Sequence, residues 1–76
     1  MITVKLYGLL RIDSGIKVRK IEAASIKDVW SDLMLLGISQ KDLNGCIILI
    51  NGKIANRRSK LQDGDVVQLM SPIAGG

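Results

Sequence analysis

The residues with the most chemical promise are the last two, Gly75 and Gly76, which follow Ser71-Pro72-Ile73-Ala74. They place a bare α-carboxylate on a thread without side chains. Glycine lacks Cβ, so such a thread can enter a channel that any larger residue would block. If that carboxylate is the working group, the rest of the chain is a handle that presents it. Without a function the same residues are a frayed terminus, because chain ends are often poorly ordered. At a glycine frequency of about 7%, Gly-Gly at a given pair of positions is expected in under roughly 1% of chains. Other groups offer less. Cys46 opens an apolar run with no adjacent basic residue to lower its pKa, the profile of a small core hydrophobe. Asp63 and Asp65 flank Gly64, but two carboxylates without further ligands make a weak metal site, and turn chemistry explains them better.

Composition narrows the classes. The chain has 76 residues, 47% of them apolar, which suits one small packed domain over 1–76 with 71–76 as a flexible C-terminal tail. With no histidine and one cysteine, zinc has almost no ligands and an intramolecular disulfide is excluded. A reducing, cytoplasmic location is expected. No run reaches membrane-spanning length, and Met1-Ile2-Thr3-Val4-Lys5 alternates instead of forming an apolar signal segment, so a mature cytosolic protein is expected. The net charge is +4, with basic groups at Lys17, Arg19 and Lys20 and at Arg57, Arg58 and Lys60. Single-strand nucleic-acid modules add aromatic stacking platforms, and this chain has only Tyr7 and Trp30. A solvated surface is the first reading of the charge and an acidic protein partner the second; neither nucleic acid nor membrane is expected.

The elements that must position the tail follow from periodicity. Ile2, Val4 and Leu6 alternate with Thr3, Lys5 and Tyr7, which predicts a half-buried strand. Gly8 and Asp13-Ser14-Gly15 bracket a loop around Leu9-Leu10-Arg11. Ile16 and Val18 alternate with Lys17 and Arg19 in a second strand, with a bulge expected at Lys20-Ile21. Ser25 is an N-cap with Asp28 three residues on, and Ile26, Val29, Trp30, Leu33 and Leu36 recur at helical spacing up to Gly37. Trp30 is the largest core residue of that stripe. After a polar connection, Cys46 to Ile50 is continuously apolar and ends at Asn51-Gly52, a tight-turn signal. Lys53 to Asn56 reads as a short strand, Leu61 as a core plug from a loop, and Asp63-Gly64 as a turn. Val67 and Leu69 face the core in a last strand over 65–70, and Pro72 ends its pairing.

Strand, strand, helix, strand, short strand, strand is the order of an α+β, ubiquitin-like β-grasp. It predicts a mixed sheet of four to five strands with one main helix packed on one face. Over essentially its whole length the chain resembles the MoaD/ThiS sulfur carriers. Lys5-Leu6-Tyr7-Gly8-Leu9-Leu10-Arg11 with Ser14-Gly15 resembles the first strand and loop of MoaD proteins. Ile50-Asn51-Gly52-Lys53 and Leu61-Gln62-Asp63-Gly64-Asp65-Val66-Val67 are similar to the shared stretch before the last strand. Ser71-Pro72-Ile73-Ala74-Gly75-Gly76 is close to the MoaD tail, typically Pro-Pro-Val-Ala-Gly-Gly. The terminal Gly-Gly at this distance from Asp-Gly-Asp is the specific part. Leu69-Met70 stands where MoaD proteins usually carry aromatic residues, and Ser71 replaces the first proline. The Leu9 to Gly15 loop argues against the ThiS branch, whose first hairpin tends to be very short.

The resemblance implies that Gly76 is the reacting group. A ThiF/MoeB-like enzyme would use ATP to adenylate its carboxylate, and a cysteine desulfurase or rhodanese would supply sulfur for a C-terminal thiocarboxylate. The carrier itself would bind no cofactor and contribute no general acid or base; it would be the sulfur-donating small subunit of molybdopterin synthase, beside a MoaE-like large subunit. Six extended residues at about 3.3 Å each would carry Gly76 roughly 20 Å from the sheet. Pro72 would stiffen the root, with Ile73, Ala74 and Gly75 in the partner's channel. The sheet face opposite the helix would carry Lys5, Tyr7, Ile47, Leu49, Gln68 and Met70, with Tyr7, Ile47, Leu49 and Met70 as partner contacts. Other sulfur acceptors, thiamin thiazole or a tungsten cofactor, remain open. So do a ubiquitin-like modifier forming isopeptides through Gly76 and a small basic binding module with an idle tail.

Overall fold

The computed structural model describes residues 1–71. What the sequence implies for Pro72, Ile73, Ala74, Gly75 and Gly76 lies outside the described residues. The elements are β1 (Ile2–Tyr7), α1 (Leu9–Ser14), β2 (Val18–Ile21), α2 (Ile26–Leu35), α3 (Gln40–Asn44), β3 (Ile47–Ile50), β4 (Lys53–Ala55) and β5 (Val66–Met70). The strands form one sheet in the order β2-β1-β5-β3-β4. The central pair β1·β5 is parallel and the other pairs are antiparallel. A parallel pair needs a crossover connection, and α2 on that connection covers one face of the sheet. The expected β-grasp is therefore present.

The core is the meeting of that face with α2. Val4, Leu6, Val67 and Leu69 from the central strands and Ile26, Val29 and Leu33 from α2 are almost completely buried. Ser25 caps α2 by accepting the Asp28 N–H, and the Asp28 carboxylate accepts the Ala24 N–H at 2.9 Å. At the other end Gly37, with φ of 98°, lets the chain reverse: Gly37 N–H bonds Met34 O and Ile38 N–H bonds Leu33 O. This is a Schellman motif, and Leu33 and Ile38 supply its buried apolar contact.

Five local expectations are corrected. The segment after Gly8 is a short helix, not a loop; Gly8 starts it, Gly15 ends it in the left-handed region, and Leu10 is buried beneath it. The Ser14 hydroxyl donates to Leu10 O at 2.5 Å and closes the last turn. The polar connection contains α3, capped by Ser39, whose Leu43 is fully buried. Leu36 lies outside the core at 44% exposure, because the Schellman reversal turns the chain and brings in Ile38 instead. No bulge occurs at Lys20-Ile21, since Ile2↔Ile21, Thr3↔Lys20 and Val4↔Arg19 pair in regular register. Alternation instead fails at Lys17 and Val18, both exposed, so Val18 faces away from the core and Arg19 toward the helix side. The physical reason is an ion pair: Arg19 Nε and Nη2 reach the two oxygens of Asp32 on α2 at 2.6 and 3.0 Å.

Candidate functional site

The face of the sheet away from α2 is open. Directly paired residues on neighbouring strands point to the same side, so the register shows what this face contains. One row runs Tyr7, Met70, Ile47 across β1, β5 and β3. The next runs Val18, Lys5, Gln68, Leu49, Ile54 across all five strands. The six positions expected there are thus brought together. Ile47 and Met70 are substantially exposed although apolar. Gln68 Nε2 donates to the Tyr7 hydroxyl at 3.2 Å, fixing two polar side chains of neighbouring rows.

Val18 and Ile54, which sequence periodicity does not place on this face, extend its apolar surface. Ile54 is 85% exposed, the outward residue of a three-residue strand. Its signal was the small Ala55 beside it: pairing with Ile48 places Ala55 on the helix side, which sends Ile54 outward. Val18 carried no usable signal, because its orientation depends on Asp32, distant in sequence.

The tail is rooted where the Tyr7-Met70-Ile47 row ends. Ser71 leaves β5 beside Gly8, and its hydroxyl is a bridge. It accepts the Leu10 N–H at 3.3 Å and donates to Tyr7 O at 3.4 Å. Gly8 permits this approach: its φ is 65°, and a Cβ there would stand 2.6 Å from Ser71 Oγ. The serine that replaces the usual proline therefore ties the root of the tail to the first turn of α1.

The groups set aside on sequence grounds stay aside. Burial pushes the Cys46 thiol up to about 11, and its Sγ lies 2.9 Å from Leu43 O. Asp65 accepts the Gln62 N–H and an Asn51 Nδ2 N–H, which hold its carboxyl below the usual range, so it is turn chemistry. Among the described residues no group of three or more acidic, cysteine or histidine side chains is placed to hold a metal. Among the described residues no helix is long and apolar enough to cross a membrane. Arg57, Arg58 and Lys60 are exposed, which suits a solvated surface and an acidic protein partner alike.

The profile of the ThiS family matches residues 4–76. The chain belongs to the ThiS family. No curated protein matches it by sequence. Among solved structures, the ThiS-family chain is similar to SAMP1 of Haloferax volcanii, with 20% identity, a TM-score of 0.83, and 99% and 98% of the two chains covered. It is similar to molybdopterin-converting factor of Helicobacter pylori 26695, solved as a complex of subunits 1 and 2. There the identity is 26%, the TM-score 0.71, and 99% and 97% of the chains are covered. Urm1 of Sulfolobus solfataricus shares 25% identity at a TM-score of 0.67, covering 92% of this chain and 99% of its own. The fold is that of the ThiS/MoaD-type ubiquitin-like sulfur carriers.

Proposed function

We propose that this protein carries sulfur on Gly76 and delivers it in molybdopterin synthesis. The observation that carries the reading is the family match, which runs through Gly75 and Gly76. A likeness of 26% identity to a molybdopterin-converting factor supports that acceptor. A carboxylate is a poor acyl electrophile because its oxygens leave badly. One Gly76 oxygen would attack the α-phosphorus of ATP on an activating enzyme, releasing pyrophosphate and leaving an acyl-adenylate. A hydrosulfide equivalent from a sulfur donor would then displace AMP, leaving a thiocarboxylate. The anionic sulfur would be the nucleophile toward a pterin precursor held by a large subunit. Tyr7, Ile47, Leu49 and Met70 would dock that subunit, while Pro72, Ile73, Ala74 and Gly75 line the path of the tail. The carrier supplies position and no acid or base.

Intact-mass analysis after incubation with ATP, an activating enzyme and a sulfur donor tests the chemistry. Exchange of one oxygen for sulfur at Gly76 is expected, with loss of the exchange in Gly76→Ala. Isopeptide ladders on other proteins without any thiocarboxylate would overturn the carrier reading in favour of a modifier. Conversion of a pterin precursor on adding a molybdopterin synthase large subunit tests the acceptor.

A further inference from the structure

A second surface lies on the helix layer, away from the open sheet face. A groove of about 690 Å³ runs between α2, the start of α3 and the turn after β4. That size is within the range of about 300–1,000 Å³ typical of ligand sites. Ile26, Trp30 and Met34 follow one another at four-residue spacing along α2 and give the groove an apolar floor. Met34 is its open part, at 39% exposure, and Trp30 offers an edge. Lys27, Arg57 and Arg58 stand around that floor, and among the described residues no carboxylate lines it.

Among the described residues these three cations have no ion-pair partner. Asp28 and Asp32 on the same helix are committed elsewhere, to the Ala24 N–H and to Arg19. Among the described residues, the ion pairs involve Met1 and Arg19 and none involves Lys27, Arg57 or Arg58. The walls are also bonded to each other before anything binds. Asn44 Oδ1 accepts both Trp30 Nε1 at 3.1 Å and Arg57 Nη1 at 2.9 Å. Asn56 Oδ1 accepts the Arg58 N–H at 2.8 Å, and Ser59 O accepts the Ile26 N–H at 3.0 Å, tying the turn to the start of α2. Holding side chains and a turn in place beforehand lowers the ordering cost of binding.

We propose that this groove docks a short acidic segment of a partner protein, with one large apolar side chain on Met34 and Trp30 and flanking carboxylates on Lys27, Arg57 and Arg58. Charge complementarity selects an anionic occupant. The floor between the cations selects one with an apolar side chain among its charges. A bare phosphate leaves that floor wet, and a nucleic acid finds no stacking platform because Trp30 is only 6% exposed. A protein held here leaves the open sheet face and Ser71 free, so the carrier can be gripped from behind while its tail is in use elsewhere.

Trp30 is the single tryptophan, so its fluorescence, together with amide shifts of the full chain, reports binding. The probe is a capped pentapeptide with a central leucine and two glutamates on each side. Saturable binding is expected, with shifts concentrated at Lys27, Trp30, Met34, Arg57 and Arg58. Replacing the glutamates by glutamine should weaken it at least tenfold, as should R57E/R58E. K27E, which breaks no hydrogen bond of the described structure, should weaken it several-fold, and so should M34A. Shifts centred on Lys5, Tyr7, Ile47 and Met70, or equal affinity for the glutamine peptide, would overturn the proposal. Inorganic triphosphate binding as tightly as the peptide, with M34A unaffected, would reduce the groove to a simple anion site and overturn it too. The chemistry proposed for Gly76 involves no residue of the groove, so failure here leaves that chemistry standing.

Discussion

The two faces of the sheet are built from the same strands and serve opposite ends. In β5, Val67 and Leu69 are wholly buried under α2, while Gln68 and Met70 between and after them face outward. The helix side has near-complete exclusion of water. The open side keeps Ile47, Val18, Ile54 and Met70 exposed among Lys5, Tyr7 and Gln68. One face therefore holds the fold together, and the other contributes little to folding and is available for a partner. The groove behind α2 repeats the pattern on a smaller scale: Trp30 is mostly core, and Met34, one turn on, is open.

Substitutions on adjacent residues test this division most sharply. Leu69→Ala removes a fully buried side chain and should cost about 2–5 kcal/mol. Gln68→Ala, its neighbour, should stay within about 0.5 kcal/mol. Urea melts of the two variants check both, and similar values would break the comparison. Next comes Gly8→Ala, which combines a positive φ with a Cβ placed 2.6 Å from Ser71 Oγ. A loss of about 1–3 kcal/mol is expected, together with shifted Leu10 and Ser71 amide resonances. Ser71→Ala should shift the same resonances with a smaller loss.

The acid limb of stability gives a third test. Its hydrogen bond from Arg19, with their mutual attraction, holds Asp32 below the ordinary carboxylate pKa. A carboxyl lowered in the folded state stabilises above its unfolded pKa of about 3.9, and the contribution disappears as pH falls through the folded value. Asp32→Asn should therefore flatten the fall in stability below about pH 4 and cost less at pH 3 than at pH 6 in paired urea melts. For Cys46 the sign reverses: the thiol raised to about 11 keeps its proton longer in the folded state. Stability should fall as pH rises above about 8.5, the unfolded thiol value, and alkylation at pH 8 should be at least tenfold slower in the native than in the urea-unfolded chain. The smallest stability effect belongs to the open face. Ile47→Asp should change folding by about 0.5 kcal/mol or less yet abolish co-elution with a molybdopterin synthase large subunit. Unchanged co-elution would mean that the face is not the docking surface.

Much of this arrangement was legible because its causes are local. Alternation in Ile2–Tyr7, the Ser25 cap, the Asn51-Gly52 turn and the apolar run ending at Ile50 each act within a few residues. The six positions on the open face followed from period-two geometry once the strands were placed. What escaped depends on distant partners. Helix α1 rests on a buried Leu10 and on Gly8 and Gly15 at its ends, and α3 on Leu43 reaching the core. Val18 turned outward because Arg19 found Asp32, and Leu36 gave way to Ile38 because the chain reversed at Gly37.

By itself the sequence determined the order of the five strands and the main helix, the identity of most core residues and the candidate acyl end at Gly76, since these follow from periodicity, turn residues and terminal chemistry. Only the tertiary structure decided that Val18 and Ile54 join the open face and how the tail is rooted. Those outcomes require residues far apart in the chain to meet: Arg19 with Asp32, Ser71 against Gly8, and Arg57 with Trp30 on one Asn44 oxygen. A contact between distant segments has a cost and a gain that no local window contains.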